Sequence, residues 1–132
     1  LLCTFPEEFS PPEMVKTRPV VVVSPRIEGR SGLASIVPLS TTPPAPVLRH
    51  HFQVPIARMP KRLQAEAVEV WAKCDMIYTF SLERLDRFKA GRDRRSNKRL
   101  YESGQLELSE IIGIRRCIAA ALGITALGNT DA

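Results

Sequence analysis

The sequence predicts a mainly β fold with one C-terminal helix, built as a small, strongly bent sheet or barrel. Three observations lead there. Short runs of good strand formers, "PVVVVS", "LASIVPLS" and "VEVWAKCDMIYTFS", recur along the first two thirds of the chain. Proline-rich or polar segments separate them, which breaks the chain into five or so strands. Helical spacing of apolar residues is found near the end, at Ile111, Ile114, Ile118 and Leu122.

In chain order, "LLCTF" alternates weakly and is expected to be a first strand, and "PEEFSPPEMVKT" a loop. Pro19 has no N–H for a ladder, so "RPVVVVS" is expected to begin a strand there, with Arg18 held extended in front of it. Val20 to Val23 are apolar in both directions, so both faces of that strand should be covered. "PRIEGRSG" is a turn, "LASIVPLS" a second strand of the same kind, and "TTPPAPVLR" too rich in proline for regular structure. "HHFQVPI" is short enough for one strand, and "ARMPKRLQAEA" reads as a linker with one helical turn. After "VEVWAKCDMIYTFS" comes a basic loop, "KAGRDRRSNKR", and "LYESGQL" reads as a short strand or a turn. Ser109 is a good N-cap for the closing helix, Glu110 suits its first turn, and Gly123 its C-terminal cap. Gly113 inside it costs about 1 kcal/mol relative to alanine. A single domain over residues 1–124 is expected, with a flexible tail over 125–132.

Composition narrows the functional classes. At 132 residues and 44% hydrophobic, the chain suits one domain with one proper core. No run approaches the roughly 18 apolar residues of a membrane span, and "LLCTFPEEF" lacks the basic n-region of a signal peptide. The three cysteines, Cys3, Cys74 and Cys117, fit no metal or redox spacing and suit free thiols in a reducing cytoplasm. A net charge of +5 favours an anionic partner.

"KTRPVVVVS", then "GLASIVPLSTT", then "WAKCDMIYTFSLERLD" and a closing amphipathic helix occur in an order and spacing that resemble the PemK/MazF family of bacterial toxins. The resemblance spans roughly residues 1 to 123. It implies an SH3-like β-barrel with a C-terminal helix, usually a homodimer. It further implies a cytoplasmic, sequence-specific endoribonuclease that cuts single-stranded RNA with no metal or other cofactor. A cognate antitoxin would cover the RNA groove, and DNA binding would accompany that pairing.

The resemblance carries roles onto particular residues. Arg18 of the "RP" pair would face the cleavage site, where a guanidinium offers forked, permanently charged donors to phosphate oxygens. Asp75 of "KCD" would be the general base, and Lys73, two residues earlier, would point to the same strand face and attract phosphate where some members carry arginine. Ser40 would help hold the scissile phosphate, with Thr41 and Thr42 as neighbouring hydroxyls; turn chemistry before Pro43 and Pro44 is the alternative use. Lys16, and Arg92, Arg94 and Arg95 in the basic run with Lys98 and Arg99, would contact RNA, against the alternative of a solvated charged loop. Trp71 and Tyr78 suit base stacking or the core. Some members use a histidine just upstream of the arginine; this chain has none there, which leaves the general acid unassigned. His50 and His51 are adjacent, so on a strand at most one faces a given site. A gyrase-binding toxin on the same fold is the rival reading, and it does not need Arg18, Ser40 and Asp75 around one groove; a member that only binds RNA or antitoxin is a third, kept open by the missing histidine and by Lys73.

Overall fold

The structure, a computed structural model, describes residues 1–26, 28–102, 104–126 and 129–130, with those beyond 124 described by backbone alone. Strand β1 (Leu2–Thr4) leads through the proline-rich loop to β2 (Thr17–Val22) and β3 (Leu33–Ser40). Strand β4 (His51–Val54) is followed by a 3₁₀ turn over Ile56–Arg58 and helix α1 (Lys61–Glu66). Then come β5 (Val70–Lys73), β6 (Tyr78–Ser81), a second 3₁₀ turn (Leu82–Arg84) and β7 (Leu85–Asp86). A hairpin of β8 (Phe88–Arg92) and β9 (Arg99–Glu102) precedes helix α2 (Leu108–Ala121). The short pair β10 (Ile124–Ala126) and β11 (Asn129–Thr130) follows, where a flexible tail was expected; the rest of that tail lies outside the described residues.

The main sheet is antiparallel, in the order β4-β5-β3-β2-β1-β7, with β6 also paired to β3. Its pairing is an open path among the described residues. Strand β3 is the spine. Ile36 pairs with Tyr78 on β6, and Leu39 pairs with Ala72 on β5. Between these pairs, two residues on β3 face five on the partner side, so "VEVWAKCDMIYTFS" is two strands with a turn between them, where the sequence suggested one run. Pro38, which has no N–H to give a ladder, sits in the interruption. Asp75 lies in the extruded turn.

The valine run is covered on both faces, as its sequence requires. Val21 and Val23 join Val37, Leu39, Val54, Val70 and Ala72 under α2, while Val20 packs with Cys3, Phe5 and Ile36. The second cluster is sealed by an aromatic group in which Tyr78 stacks on Phe80 at 5.5 Å and meets Phe5 edge-on at 5.2 Å.

Helix α2 begins two residues earlier than a Ser109 N-cap would start it. Glu107 is the N-cap, in a reciprocal capping box with Glu110. Arg58 locks that choice by bonding both carboxylates, Nε to Glu110 at 3.1 Å and Nη2 to Glu107 at 2.5 Å. Ile114 and Ile118 are buried, but Leu122, the expected last residue of the stripe, is 63% exposed because it caps the helix end instead of turning inward. Gly123 follows with φ +78°, the left-handed conformation of a helix-ending glycine. Gly113 has a packing reason: a Cβ there would collide with the Phe52 ring.

Candidate functional site

An open depression of about 500 Å³ lies where β2, β3, β5 and α1 meet, and Arg18, Ser40, Thr41, Thr42 and Lys73 line it together. Backbone register explains the convergence. Val20 on β2 pairs with Pro38 on β3. Extending that ladder by two residues sets Arg18 opposite Ser40, and side chains two apart share a face. Ser40 in turn pairs with Trp71 on β5, which puts Lys73 on that face as well. Arg18 is exposed but not loose: its Nε donates to the Val15 carbonyl at 3.1 Å, leaving four of its five guanidinium N–H groups for a ligand. Ser40 Oγ accepts from Thr42 N at 3.2 Å and donates to Thr42 O at 3.3 Å, so this hydroxyl shapes the turn that presents Thr41 and Thr42.

Asp75 is not among the residues lining the depression. It stands beside it, 47% exposed, with Oδ2 3.7 Å from Nε2 of His50. The His50 and His51 rings lie 4.3 Å apart, and His51 pairs across strands with Lys73. His51 Nδ1 accepts from Leu48 N at 2.9 Å. Burial, then His50, hold the His51 imidazole below its ordinary range; Asp75 opposes this and Lys73 adds to it. Lys73, His51, His50 and Asp75 thus form a continuous band running away from the depression. Beneath the band lie two thiols. Cys74 is fully buried and pushed up to about 12 by burial and by its contact with Cys117, which fits a small apolar filler.

The other expected contacts lie apart. Arg92, Arg94 and Arg95 belong to the β8–β9 hairpin, a separate two-stranded sheet, so the basic segment is an ordered arm where a loop was expected. Its tip is set by Asp93, whose carboxylate accepts from Ser96 N at 2.9 Å and Ser96 Oγ at 2.7 Å. Lys16 is exposed just before β2, at φ +67°. Tyr78 is held in the aromatic cluster, its hydroxyl accepting from Met14 N at 3.1 Å. The Trp71 ring is half-buried, its indole nitrogen enclosed with no hydrogen-bond partner.

Comparison with known proteins decides the family. The model of the PemK-like, MazF-like toxins of type II toxin–antitoxin systems matches residues 1–118. The chain belongs to the PemK/MazF family. YifN of Escherichia coli K12 is 38% identical over 84 residues, which are 62% of this chain and 55% of YifN, so the chain spans little more than half the length of that curated relative. The Mycobacterium tuberculosis toxin MazF-mt6 superposes with a TM-score of 0.53 over 83% of this chain and 89% of that one, at 18% identity, a likeness of fold.

Against the PemK/MazF expectations, one charged lining residue escaped the sequence. Glu66, the last residue of α1, is the carboxylate in the depression's lining. Its partner is Arg62, at 3.8 Å and more than 60% exposed on both sides, a pair worth little. The signal was one helical turn ending in an acid, with no spacing to tie it to Arg18. No helix among the described residues is long and apolar enough to cross a membrane.

Proposed function

We propose that this PemK/MazF-family chain is a metal-independent, sequence-specific endoribonuclease acting on single-stranded RNA in the cytoplasm, held in check by a cognate antitoxin. The observation that carries the reading is the gathering of Arg18, Lys73, Ser40, Thr41 and Thr42 around one open depression. Two cations and a hydroxyl-bearing turn form a site for a phosphodiester whose non-bridging oxygens gain charge during cleavage. The ribose 2′-OH attacks the adjacent phosphorus, leaving a cyclic phosphate and a free 5′-OH. Arg18 stabilises the phosphorane, Lys73 adds a point charge, and Asp75 drives removal of the 2′-OH proton. Ser40 acts through the turn it holds. Lys16 and the arm's Arg92, Arg94 and Arg95 contact RNA phosphates outside the depression. A symmetric dimer forms the complete groove.

Incubating the purified protein with long RNA in EDTA, and mapping the ends by primer extension, tests the reading. Cuts at a recurring short sequence are expected. Intact RNA, with growth arrest and binding to gyrase, would sink the nuclease and favour the protein-binding toxin.

A further inference from the structure

The β8–β9 hairpin has two unlike faces. Phe88 and Glu102 pair across it and share the inner one. Phe88 is buried in the core under α2, and the Glu102 carboxylate accepts from the Lys61 N–H at the start of α1. Lys89 pairs with Tyr101, so these two stand on the outer face, with Arg99 two residues before Tyr101 on β9. Strict alternation would turn Arg92, three residues after Lys89, inward. It stays outward because β8 carries one extra residue: between the pairs Lys89–Tyr101 and Arg92–Arg99, Ala90 and Gly91 face Leu100 alone. Gly91, at φ +92°, takes the left-handed conformation that such a bulge needs. The bulge thereby sets Arg92 opposite Arg99 on the outer face.

That arrangement works against stability, since like charges directly opposite on a sheet repel. Neither carboxylate of the hairpin relieves it. Glu102 is on the inner face, and Asp93 is engaged by Ser96 at the tip. Beside the arginine pair stands an aromatic ring. Tyr101 is 41% exposed even with the Arg87 guanidinium 3.9 Å from its ring centroid, a cation–π contact that steadies the ring. Arg87, Lys89, Arg92 and Arg99 are all exposed, and no carboxylate of the hairpin shares their face. A merely solvated face gains nothing from a bulge that sets arginine against arginine; an anionic ligand does. An acidic peptide would satisfy the charges and leave the ring idle. An unpaired nucleic-acid strand uses both, because every base has a flat face to stack and every linkage a phosphate.

We propose that the bulged outer face of the hairpin is a docking platform for single-stranded RNA, on which Tyr101 stacks an unpaired base while Lys89, Arg92 and Arg99 hold the adjoining phosphates. The platform deepens the nuclease reading above and rests on it for its ligand. Arg87 is a positioning residue that fixes the plane of the ring. The inner face anchors the platform to the body through Phe88 and Glu102, so the strand meets an ordered surface. Stacking is indifferent to which base is offered, so the platform supplies affinity for unpaired strands and leaves the choice of sequence to other residues.

The test measures binding of a single-stranded 2′-O-methyl oligonucleotide, which has no 2′-OH to attack, so that binding is read apart from cutting. An abasic strand of the same length is the control, and thermal melts accompany each variant. Tyr101→Ala should bind the base-bearing strand roughly 5- to 150-fold more weakly than wild type, and the abasic strand equally well. Tyr101→Phe should bind both like wild type. The melt of Tyr101→Ala should barely move, because Tyr101 lies outside both core clusters. Arg99→Gln should weaken both strands alike and lower the slope of log affinity against log salt by about 0.7. Unchanged binding of the base-bearing strand by Tyr101→Ala overturns the platform, as does an equal loss on the abasic strand. Should Tyr101→Ala fail to fold, wild type binding the abasic strand as tightly as the base-bearing one overturns it. Displacement of the strand by poly-glutamate as readily as by unlabelled RNA overturns it in favour of an acidic protein. A wild type that cuts no RNA, yet loses affinity through Tyr101→Ala as expected, supports the platform and removes only the nuclease reading.

Discussion

At the scale of single residues, the depression sets cations against one carboxylate, and the two signs should behave oppositely. On the proposed nuclease reading, Arg18→Ala removes the forked donor to the phosphorane. Cleavage should fall by two or more orders of magnitude, RNA binding should weaken, and the melt should barely move, because Arg18 is exposed and outside both core clusters. Glu66→Gln removes a negative charge from the same lining, so RNA should bind more tightly at low salt; weaker binding would show that the carboxylate contacts a base or sugar. His51 gives a pH signature. Its folded-state affinity for protons is lowered, so folding favours the neutral ring. As pH falls below about 6.5, the unfolded chain takes up the proton first and stability drops until the folded ring titrates as well. Urea midpoints should fall between pH 7.5 and 5, and less steeply in His51→Gln. Arg18, Ser40, Thr41, Thr42 and Lys73 were singled out beforehand through the family resemblance carried by "KTRPVVVVS", "GLASIVPLSTT" and "WAKCD", and what the structure adds is that they line one depression. The partnership of Asp75 with His50 was not, since it depends on a turn extruded opposite Pro38, and nothing local in the sequence announces a register shift.

At the scale of elements, the two informative pieces are α2 and the arm. Gly113 looked like a helix defect of about 1 kcal/mol. Its position against Phe52 reverses the expectation: Gly113→Ala should destabilise by about 1–2 kcal/mol in urea titrations, because overpacking outweighs the gain in propensity. A stabilised variant would mean that the Phe52 ring moves aside freely. The helix and its buried Ile114 and Ile118 were legible from spacing alone; its start was not, because Arg58, 49 residues before Glu107, decides between two capping residues. In the arm, replacing Arg92, Arg94 and Arg95 with alanine should lower the slope of log affinity against log salt by about 2, as expected for three lost phosphate contacts to a single strand. An unchanged slope would return these arginines to the role of a solvated face. The basic run itself was plain in the sequence, but its hairpin form was not, since "FKAGR" and "RLYE" lack the alternation that marks half-buried strands.

At the scale of the whole molecule, one strand divides two cores. Val21 and Val23 feed the side under α2, and Val20 the aromatic side, so β2 links the packing of both to the position of Arg18 at its start. This architecture follows from four consecutive valines, and that is why the general form of the fold could be read early, while the order of strands around β3 needed coordinates. We propose that two such molecules pair symmetrically. Light scattering at micromolar concentration should give twice the chain mass, and a monomer would remove the idea. Alkaline pH should loosen the fold from inside: the Cys74 thiol is raised from 9.0 to about 12, so stability present below pH 9 is lost as pH climbs toward 12. Cys74→Ala should flatten that alkaline loss in denaturant titrations.

The arm also gives the molecule a heading. Between Phe88 and Glu102 stand Lys89, Arg92, Arg94, Arg95, Lys98 and Arg99 against Asp93 and Glu102, a net of +4 out of +5 for the entire chain. A nearly neutral body with its charge gathered in one hairpin feels a torque in the field of a polyanion. It is turned before it touches, and first collisions are arm-foremost. Salt should then slow arrival more than it hastens departure: on the proposed nuclease reading, the same arginines would govern how quickly a strand is caught, and the depression what happens to it afterwards.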